Sequence, residues 1–256
     1  MDIACAATSL PTIHRLRDVY RHEMHCQIIH DSLHERPGWT TPYLLTVDAS
    51  PAGYGAVAHA GPWKDKPTIF EFYVLPPQRH RMFRLFSALI AACGTRAIET
   101  QSNSPFLGVL IQTLCPSVAA EAVLYEDRMT TSITIPGAVF RPVAPADAET
   151  IAARKLDGGA GWLVELAGDV TGTGGILYHY NRPYGDLFME IAEPFRRRGL
   201  GAFIVQELKR TCYEGGSIPA ARCNVNNLAS RLTLQKAGFA PCGNLVTGTI
   251  PESAAL

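Results

Sequence analysis

A short turn in the C-terminal half of the chain combines the residue types that bind a phosphate group. The run Arg196-Arg-Arg-Gly-Leu-Gly201 follows an apolar segment, 189–191, and precedes an amphipathic segment, 202–210. A strand, a glycine turn and a helix in that order place free backbone N–H groups and the positive end of the helix dipole at the turn. Gly199 and Gly201 let the backbone approach an anion closely. We therefore expect a phosphate or pyrophosphate site, although a solvated basic turn has the same composition.

Two acidic residues lie in the strand that the pattern predicts just before this turn. Asp186 and Glu190 are four positions apart in Asp-Leu-Phe-Met-Glu-Ile191. Alternate residues of a strand share a face, so both carboxylates are predicted on one face, where either could accept a proton from a substrate. Asp186 could instead close the turn after Pro183-Tyr-Gly185, and Glu190 could be a surface charge at the strand edge.

The composition excludes several classes of protein. The 256 residues are enough for one large domain or two of ordinary size, and 47% hydrophobic against 18% charged residues allow a substantial core. A formal net charge of zero argues against a general nucleic-acid or membrane-surface binder. The longest apolar run, residues 88–93, is too short to span a bilayer, and no signal peptide is apparent. We expect neither nucleic acid nor membrane as a partner.

The cysteines indicate a reducing compartment. Their number is odd and no two have C-x-x-C spacing, which favours reduced, mostly buried thiols in a cytoplasmic protein over a disulfide framework or a zinc site. The seven are Cys5, Cys26, Cys93, Cys115, Cys212, Cys223 and Cys242.

The N-terminal region is rich in histidine. His22 and His25 have i,i+3 spacing and His30 and His34 have i,i+4 spacing, which could place imidazoles on one helix face. A metal site needs more ligands in matched geometry, so surface histidines are the preferred interpretation and no metal is expected.

The hydrophobic periodicity predicts two successive modules of mixed helices and strands, separated at Pro136-Gly137. Thr171-Gly-Thr-Gly-Gly175 is interpreted as a hairpin turn. In the first module we predict helices at 11–31, 82–92 and 105–114 and strands at 43–47, 55–59, 68–75, 96–100, 122–125 and 132–135. In the second we predict helices from 145 to about 155, at 202–210 and at 228–237, and strands at 139–143, 162–166, 175–180, 186–191, 221–225 and 244–250.

The two modules read as an internal repeat. Residues 97–103 and the following helix align without a gap with residues 221–227 and their helix. The segment 70–83 corresponds in sequence order to the segment 187–201. The first copy has no glycine between Pro77 and Ala92, and bulky side chains occupy its turn. It is therefore interpreted as a copy that has lost its anion site.

Two motifs of the second module resemble those of the GNAT superfamily of N-acyltransferases. One is the Arg196-x-x-Gly199-x-Gly201 turn after a strand, and the other is Asn227-Leu-Ala-Ser230 leading to Gln235-Lys-Ala-Gly-Phe239. The resemblance extends over nearly all of residues 138–250. It implies two tandem GNAT-like domains of the α+β class, each with a central twisted mixed sheet flanked by helices. Residues 1–137 would be a degenerate copy and residues 138–256 the acetyl-CoA-binding domain.

The resemblance also implies where acetyl-CoA binds. Its pantetheine arm is expected along Met189 and Ile191, where this strand splays from its neighbour, and against Asn227 and Ser230. The pyrophosphate is expected at the turn formed by Arg196, Arg197, Arg198, Gly199, Leu200, Gly201 and Ala202.

The implied reaction is attack of an amine on the thioester. A lysine-like amine has a pKa near 10.4, so a carboxylate that removes its proton accelerates the reaction; Asp186 and Glu190 are the candidates. The family often protonates the leaving thiolate with a tyrosine at the position of Leu234, so another group or water would act here, or catalysis would be poor.

We therefore predict an acetyl-CoA-dependent N-acetyltransferase that acts on an amine of a small molecule, as a monomer or a homodimer. A protein N-terminal or lysine acetyltransferase and a non-catalytic acyl-CoA-binding module remain as alternatives.

Overall fold

The computed structural model describes residues 2–24, 27, 31–178 and 180–254. The chain forms two compact units. Unit 1 comprises the described residues of Met1–Ala122 and Gly243–Leu256, and unit 2 comprises those of Val123–Cys242. Each combines a mixed sheet with helices, which confirms the predicted α+β class.

Unit 1 contains a mixed sheet, in which four antiparallel strands are followed by one parallel pairing. Strands β1 to β4 follow one another in the sheet and pair antiparallel, β4 pairs parallel with β5, and residues 245–249 pair antiparallel with β5. Its elements are β1 (Ile3–Ala7), α1 (Leu10–Met24), α2 (Asp31–His34), β2 (Thr40–Val47), β3 (Ser50–Ala58), β4 (Thr68–Val74), α3 (Met82–Cys93), β5 (Ala97–Gln101) and α4 (Leu107–Leu114), with 3-10 turns at Gly61–Trp63 and Pro76–Arg81.

A buried ion pair joins α1 to β4 within unit 1. Nε and Nη2 of Arg17 donate to the two carboxylate oxygens of Glu71, each at 3.0 Å, and the Tyr54 hydroxyl donates to Glu71 Oε2 at 3.0 Å. Although burial raises it, the charges of Arg17 and His34 hold the pKa of Glu71 well below its usual value. Glu71 is therefore an ionised group inside the core.

Unit 2 repeats this order of elements. Its strands lie in the order β6, β11, β10, β9, β8, β7, and β10 pairs parallel with β11 but antiparallel with β9. Its elements are β6 (Val118–Asp127, of which 123–127 belong to this unit), β7 (Ala138–Pro142), α5 (Ala148–Ala153), β8 (Trp162–Leu166), β9 (Asp169–Leu177), β10 (Tyr184–Ile191), α6 (Leu200–Glu214), β11 (Ile218–Asn224), α7 (Leu228–Lys236) and β12 (Phe239–Thr249, of which 239–242 belong to this unit), with 3-10 turns at Pro145–Asp147 and Glu193–Phe195.

Helix α6 packs its apolar side on the sheet of unit 2. Ile204, Val205, Leu208 and Cys212 are all buried there. A Cβ at Gly174 of β9 would lie 2.9 Å from Leu208 Cδ1, so only glycine lets the helix and the strand approach this closely. The position of α6 fixes the turn at its N-terminus.

Two predicted elements are wrong. Residues 171–175 are not a hairpin turn but lie inside β9, and the turn is at Ala167-Gly168, both left-handed. Residues 132–135 are not a strand. There the side-chain amide of Gln206 accepts from the Ile133 N–H at 2.6 Å and donates to the Ile133 carbonyl at 3.1 Å, which occupies groups that a neighbouring strand would otherwise bind.

The division into units differs from the division expected at 137/138. Residues 123–137 lie in unit 2, and the C-terminal segment from Gly243 lies in unit 1, where 245–249 pair with β5. The domain boundary expected at 137/138 stays a prediction.

Candidate functional site

The glycine turn lies at the N-terminus of α6, as predicted. Gly199 is the N-cap residue with φ of 82°, and Arg197 also has a left-handed φ, of 62°. The first helical hydrogen bond runs from Phe203 N–H to the Gly199 carbonyl at 3.1 Å, and no side chain among the described residues caps the helix. The first N–H groups of α6 are therefore available to an anion at the positive end of the dipole.

The two glycines of the turn have different structural roles. A Cβ at Gly199 would make only ordinary contacts, 3.6 Å from Ile135 Cδ1 and 3.7 Å from Lys236 Nζ, so its left-handed φ is what favours glycine there. At Gly201 the restriction is packing, because a Cβ would lie 3.1 Å from Thr233 Cγ2 and 3.5 Å from Met189 Cε. Gly201 thus lets α7 and β10 approach the start of α6.

Strand β10 separates from β11 on the side facing this turn. The parallel pairing of β10 with β11 covers Tyr184–Asp186, whereas its antiparallel pairing with β9 continues to Ile191. Among the described residues, the β11 side of residues 187–191 thus has no strand partner. The splay expected around residues 189–191 is present, and it leaves backbone N–H and C=O groups that an extended ligand can pair with.

The turn and the splayed strand end open into one cavity of about 1170 Å³ within unit 2. It is also lined by α7, through Leu228, Ala229, Leu232, Thr233 and Lys236. The cavity brings together eleven of the thirteen residues predicted for the site: Met189, Glu190, Ile191, Arg196, Arg197, Gly199, Leu200, Gly201, Ala202, Asn227 and Ser230. Asp186 and Arg198 do not line it.

The three consecutive arginines point to different partners. Arg196 lines the cavity, but its Nε donates to the Ile191 carbonyl at 3.0 Å and so ties the turn to the end of β10. Arg198 lies over the Phe195 ring, with Cζ 5.5 Å from the centroid. Arg197 is on the cavity wall.

Unit 1 has the same arginine contact without the glycine turn. Arg79 Nε donates to the Val74 carbonyl at 3.2 Å, five residues earlier, as Arg196 does to Ile191. The 3-10 turn Pro76–Arg81 then leads directly into α3, and Arg81 has φ of −106°. The arginine contact therefore occurs with and without an anion-binding turn, which indicates a structural role.

Comparison with known proteins identifies the segment that carries this geometry. The family described as Acetyltransferase (GNAT) family matches residues 127–239. Residues 127–239 are a GNAT acetyltransferase domain. Members of this family transfer an acyl group from acetyl-CoA. No curated protein matches the sequence.

Solved structures show the same fold over nearly the whole chain. A GNAT-family acetyltransferase from Colwellia psychrerythraea has a TM-score of 0.77 at 14% identity, covering 98% of this chain and 100% of its own. A tandem GNAT protein from the clavulanic acid biosynthesis pathway has a TM-score of 0.66 at 12% identity, covering 99% and 100%. A GCN5-related N-acetyltransferase from Sphaerobacter thermophilus has a TM-score of 0.60 at 13% identity, covering 99% and 98%. The predicted tandem GNAT fold is confirmed.

Asp186 of the GNAT domain carries a buried carboxylate. It is the last residue of β10 that pairs with β11 before the two strands separate. Burial raises the pKa of Asp186 to about 7. Arg222 of β11 approaches it, with Nε 3.4 Å from Oδ2, and the same guanidinium lies over the Tyr180 ring, 4.3 Å from its centroid. Burial thus favours the protonated form of Asp186, whereas the neighbouring Arg222 guanidinium favours the ionised form.

Glu190 lies on the same face of β10, nearer the glycine turn. It pairs with Thr173 of β9 and lines the cavity. Four residues of strand separate its Cα from that of Asp186 by about 13 Å. The two carboxylates share a face, as predicted, but cannot both contact one reacting atom.

The second motif begins and ends α7. Asn227 is the N-cap residue, and its Oδ1 accepts the Ser230 N–H at 3.0 Å, which leaves the side-chain NH₂ group to donate to a ligand. Gly238 follows the helix with φ of 90°, the left-handed conformation common for a glycine at the end of a helix. Leu234 is 4% exposed and packs in the core, so no hydroxyl lies at that position.

Sequence reasoning missed the contribution of α7 beyond Asn227 and Ser230. Leu228 and Leu232 line the cavity yet are 56% and 57% exposed, and Lys236 lines it near Gly199. The sequence does contain a signal for this contribution. Lys236 lies four residues after Leu232 and therefore on the same side of a helix that packs beside the turn.

The structure finds no metal-ligand cluster among the described residues. His14 pairs with Asp18 and His34 with Glu71 and Thr40, whereas His25 and His30 lie outside the described residues. No helix in the described part of the chain is both long and apolar enough to cross a membrane.

Proposed function

We propose that the chain is an acetyl-CoA-dependent N-acetyltransferase that acetylates the amine of a small molecule in unit 2. The observation that carries the proposal is the single cavity into which the uncapped N-terminus of α6 and the splayed end of β10 both open. One part suits a pyrophosphate and the other an extended amide chain. Acetyl-CoA supplies an activated acyl thioester and contains both of these groups.

Successive groups of the chain would contact successive parts of acetyl-CoA, from its pyrophosphate to its thioester. The N–H groups at the start of α6 would bind the pyrophosphate oxygens. The backbone groups of residues 187–191 would pair with the amides of the pantetheine arm, and the NH₂ group of Asn227 would donate to one of its carbonyls. The thioester end would then lie toward the last paired residue of β10, which is Asp186.

We propose Asp186 as the base because of its raised pKa, although Glu190 and not Asp186 lines the cavity. With a pKa of about 7, roughly half of its carboxyl groups are ionised at neutral pH, so it can accept the amine proton directly or through water. Such proton transfer contributes about 10²–10⁴ in rate. Glu190 lies nearer the anion-binding turn, about 13 Å along the strand, and is the weaker candidate.

The leaving thiolate needs no protein acid at the position of Leu234. An alkyl thiol has a pKa of about 8.5, so its anion leaves readily and water can protonate it. Tyr213 and Tyr178 do not line the cavity: the Tyr213 hydroxyl donates to Asp127 at 3.0 Å, and Tyr178 is 51% exposed.

We also propose a cytoplasmic location. Among the described cysteines, Cys5, Cys93, Cys115, Cys212 and Cys223 are free thiols, and burial raises the pKa of Cys212 to about 11, which keeps it protonated and unreactive. Such thiols suit a reducing compartment.

The test is release of free thiol from acetyl-CoA by the full chain with a panel of acceptors. The panel contains alkyl amines, polyamines, amino acids and peptides with either a free N-terminus or a lysine. We expect turnover with a small amine and little without acceptor, and Asp186→Asn should reduce it. Turnover with peptides alone would favour a protein acetyltransferase, and donor binding without turnover on any acceptor would favour an acyl-CoA-binding module.

A further inference from the structure

We propose that Lys236, at the C-terminal end of α7, is the side-chain cation that binds the CoA pyrophosphate. This inference rests on the proposed function and assigns the charged contact to a residue 35 positions after Gly201. In sequence, the Arg196–Arg198 run is the obvious source of positive charge. Two of its three side chains, Arg196 and Arg198, have other contacts.

Three cationic side chains in the described part of the chain line the cavity, Arg196, Arg197 and Lys236, and of these the Arg196 Nε is already hydrogen-bonded to the Ile191 carbonyl. Arg196 holds the Ile191 carbonyl and Arg198 covers Phe195. Arg197 lines the cavity from the turn itself, and Lys236 lines it from the opposite wall. An anion at the start of α6 would therefore lie between Arg197 and Lys236.

The position of Lys236 is electrostatically unfavourable without an anion. A Cβ built at Gly199 would lie 3.7 Å from Lys236 Nζ, so the ammonium group sits beside the N-cap of α6. That end of α6 carries the positive pole of its dipole. A bound pyrophosphate would offset the repulsion between the ammonium group, the dipole and Arg197.

The other cavity-facing residues of α7 match the same ligand orientation. Leu228, Leu232 and Lys236 recur every four residues along one side of the helix, and the two leucines are more than half exposed. The helix rises by about 12 Å from Leu228 to Lys236. Its apolar part would lie along the aliphatic pantetheine arm, and its charged end would meet the pyrophosphate.

Unit 1 lacks this cation together with the glycine turn. In the ungapped alignment of 97–103 with 221–227, Gln112 of α4 occupies the position of Lys236. Unit 1, whose turn has no left-handed residue, thus also has a neutral side chain at the position of α4 that corresponds to Lys236.

The experiment compares ligands with and without phosphates on matched variants of the full chain. CoA and pantetheine are titrated calorimetrically into wild type, Lys236→Met, Lys236→Arg and Lys64→Met, in which an exposed lysine of unit 1 is changed in the same way. Lys236→Met should weaken CoA binding about tenfold, because a charge-assisted contact is lost. Lys236→Arg should stay within about threefold of wild type, because the charge is retained. Pantetheine binding and the Lys64→Met variant should be unaffected.

The possible results separate this inference from the proposed function. If Lys236→Met binds CoA as wild type does, or loses CoA and pantetheine affinity equally, Lys236 is not the pyrophosphate ligand and the proposed function stands. If wild type itself fails to bind CoA, the proposed function fails first. Thermal unfolding of the ligand-free variants confirms that each is folded, and Lys236→Gln replaces Lys236→Met if that variant is not.

Discussion

Replacing Gly199 by glutamate places a carboxylate where the donor's pyrophosphate is expected. Any L-residue at this position must adopt the φ of 82°, which is unfavourable by about 1–2 kcal/mol. Gly199→Gln shares that strain and has nearly the same size. The difference between the two variants therefore isolates the charge.

The size of the charge effect follows from Coulomb's law. A glutamate carboxylate and one phosphate charge about 6 Å apart repel by about 3 kcal/mol at an effective dielectric constant of about 20. Salt and the flexibility of an exposed side chain reduce this value, and a Lys236 contact would partly neutralise the new carboxylate. We expect Gly199→Glu to bind CoA about tenfold to a hundredfold more weakly than Gly199→Gln.

Isothermal titration at two ionic strengths measures this difference. The gap between Gly199→Glu and Gly199→Gln should narrow at high salt, because screening weakens the repulsion. Thermal unfolding of both ligand-free variants controls for the shared backbone strain. Equal CoA affinities of the two variants would refute an anion site at this turn.

Three further predictions concern residues whose roles the structure separates. For Asp186, kcat/KM should rise with pH through about 7, where the base becomes ionised; Asp186→Asn should remove this rise, and an unchanged pH profile would exclude it as the base. Arg196→Met should lower the free energy of unfolding of the ligand-free protein by about 1 kcal/mol in urea, because the Ile191 carbonyl loses its donor, whereas unchanged stability would point to a role in ligand binding alone. Glu71→Gln should destabilise the protein by about 3 kcal/mol, because Arg17 loses its buried charged partner and keeps only the partly buried Asp31; urea unfolding with a loss below about 1 kcal/mol would contradict this.

The order of elements and the glycine turn could be predicted because their signals are local. The change from alternating to helical periodicity locates β10 and α6, and Gly199 has a left-handed φ that glycine adopts without strain. The cap at Asn227 and the glycine after α7 are likewise short-range patterns. The position of the candidate site therefore follows from sequence.

Side-chain partners could not be predicted, because they depend on how distant segments pack. Because Arg196, Arg197 and Arg198 are consecutive, the sequence predicts that all three bind the pyrophosphate, yet their contacts differ. Lys236 reaches the turn only because α7 packs beside α6, with Thr233 against Gly201. The burial that raises the pKa of Asp186 to about 7 is also a tertiary effect.

Non-local contacts account for the wrong strand at 132–135 and for a strand pairing that the sequence left open. The strand expected at 132–135 is replaced by hydrogen bonds from Gln206, more than 70 residues later. Residues 245–249 of β12 pair with β5, whose strand is over 140 residues earlier. Local periodicity carries no information about either contact.

The most direct test is a calorimetric titration of the full chain with acetyl-CoA. Unit 2 has the uncapped turn and the splayed strand, whereas the corresponding turn of unit 1 has no left-handed residue at Arg81 and continues into α3. We predict saturable binding of one acetyl-CoA per chain, abolished or strongly weakened by Gly199→Glu. Absence of binding would contradict a donor site in unit 2, and two equivalents per chain would contradict the assignment of a single site.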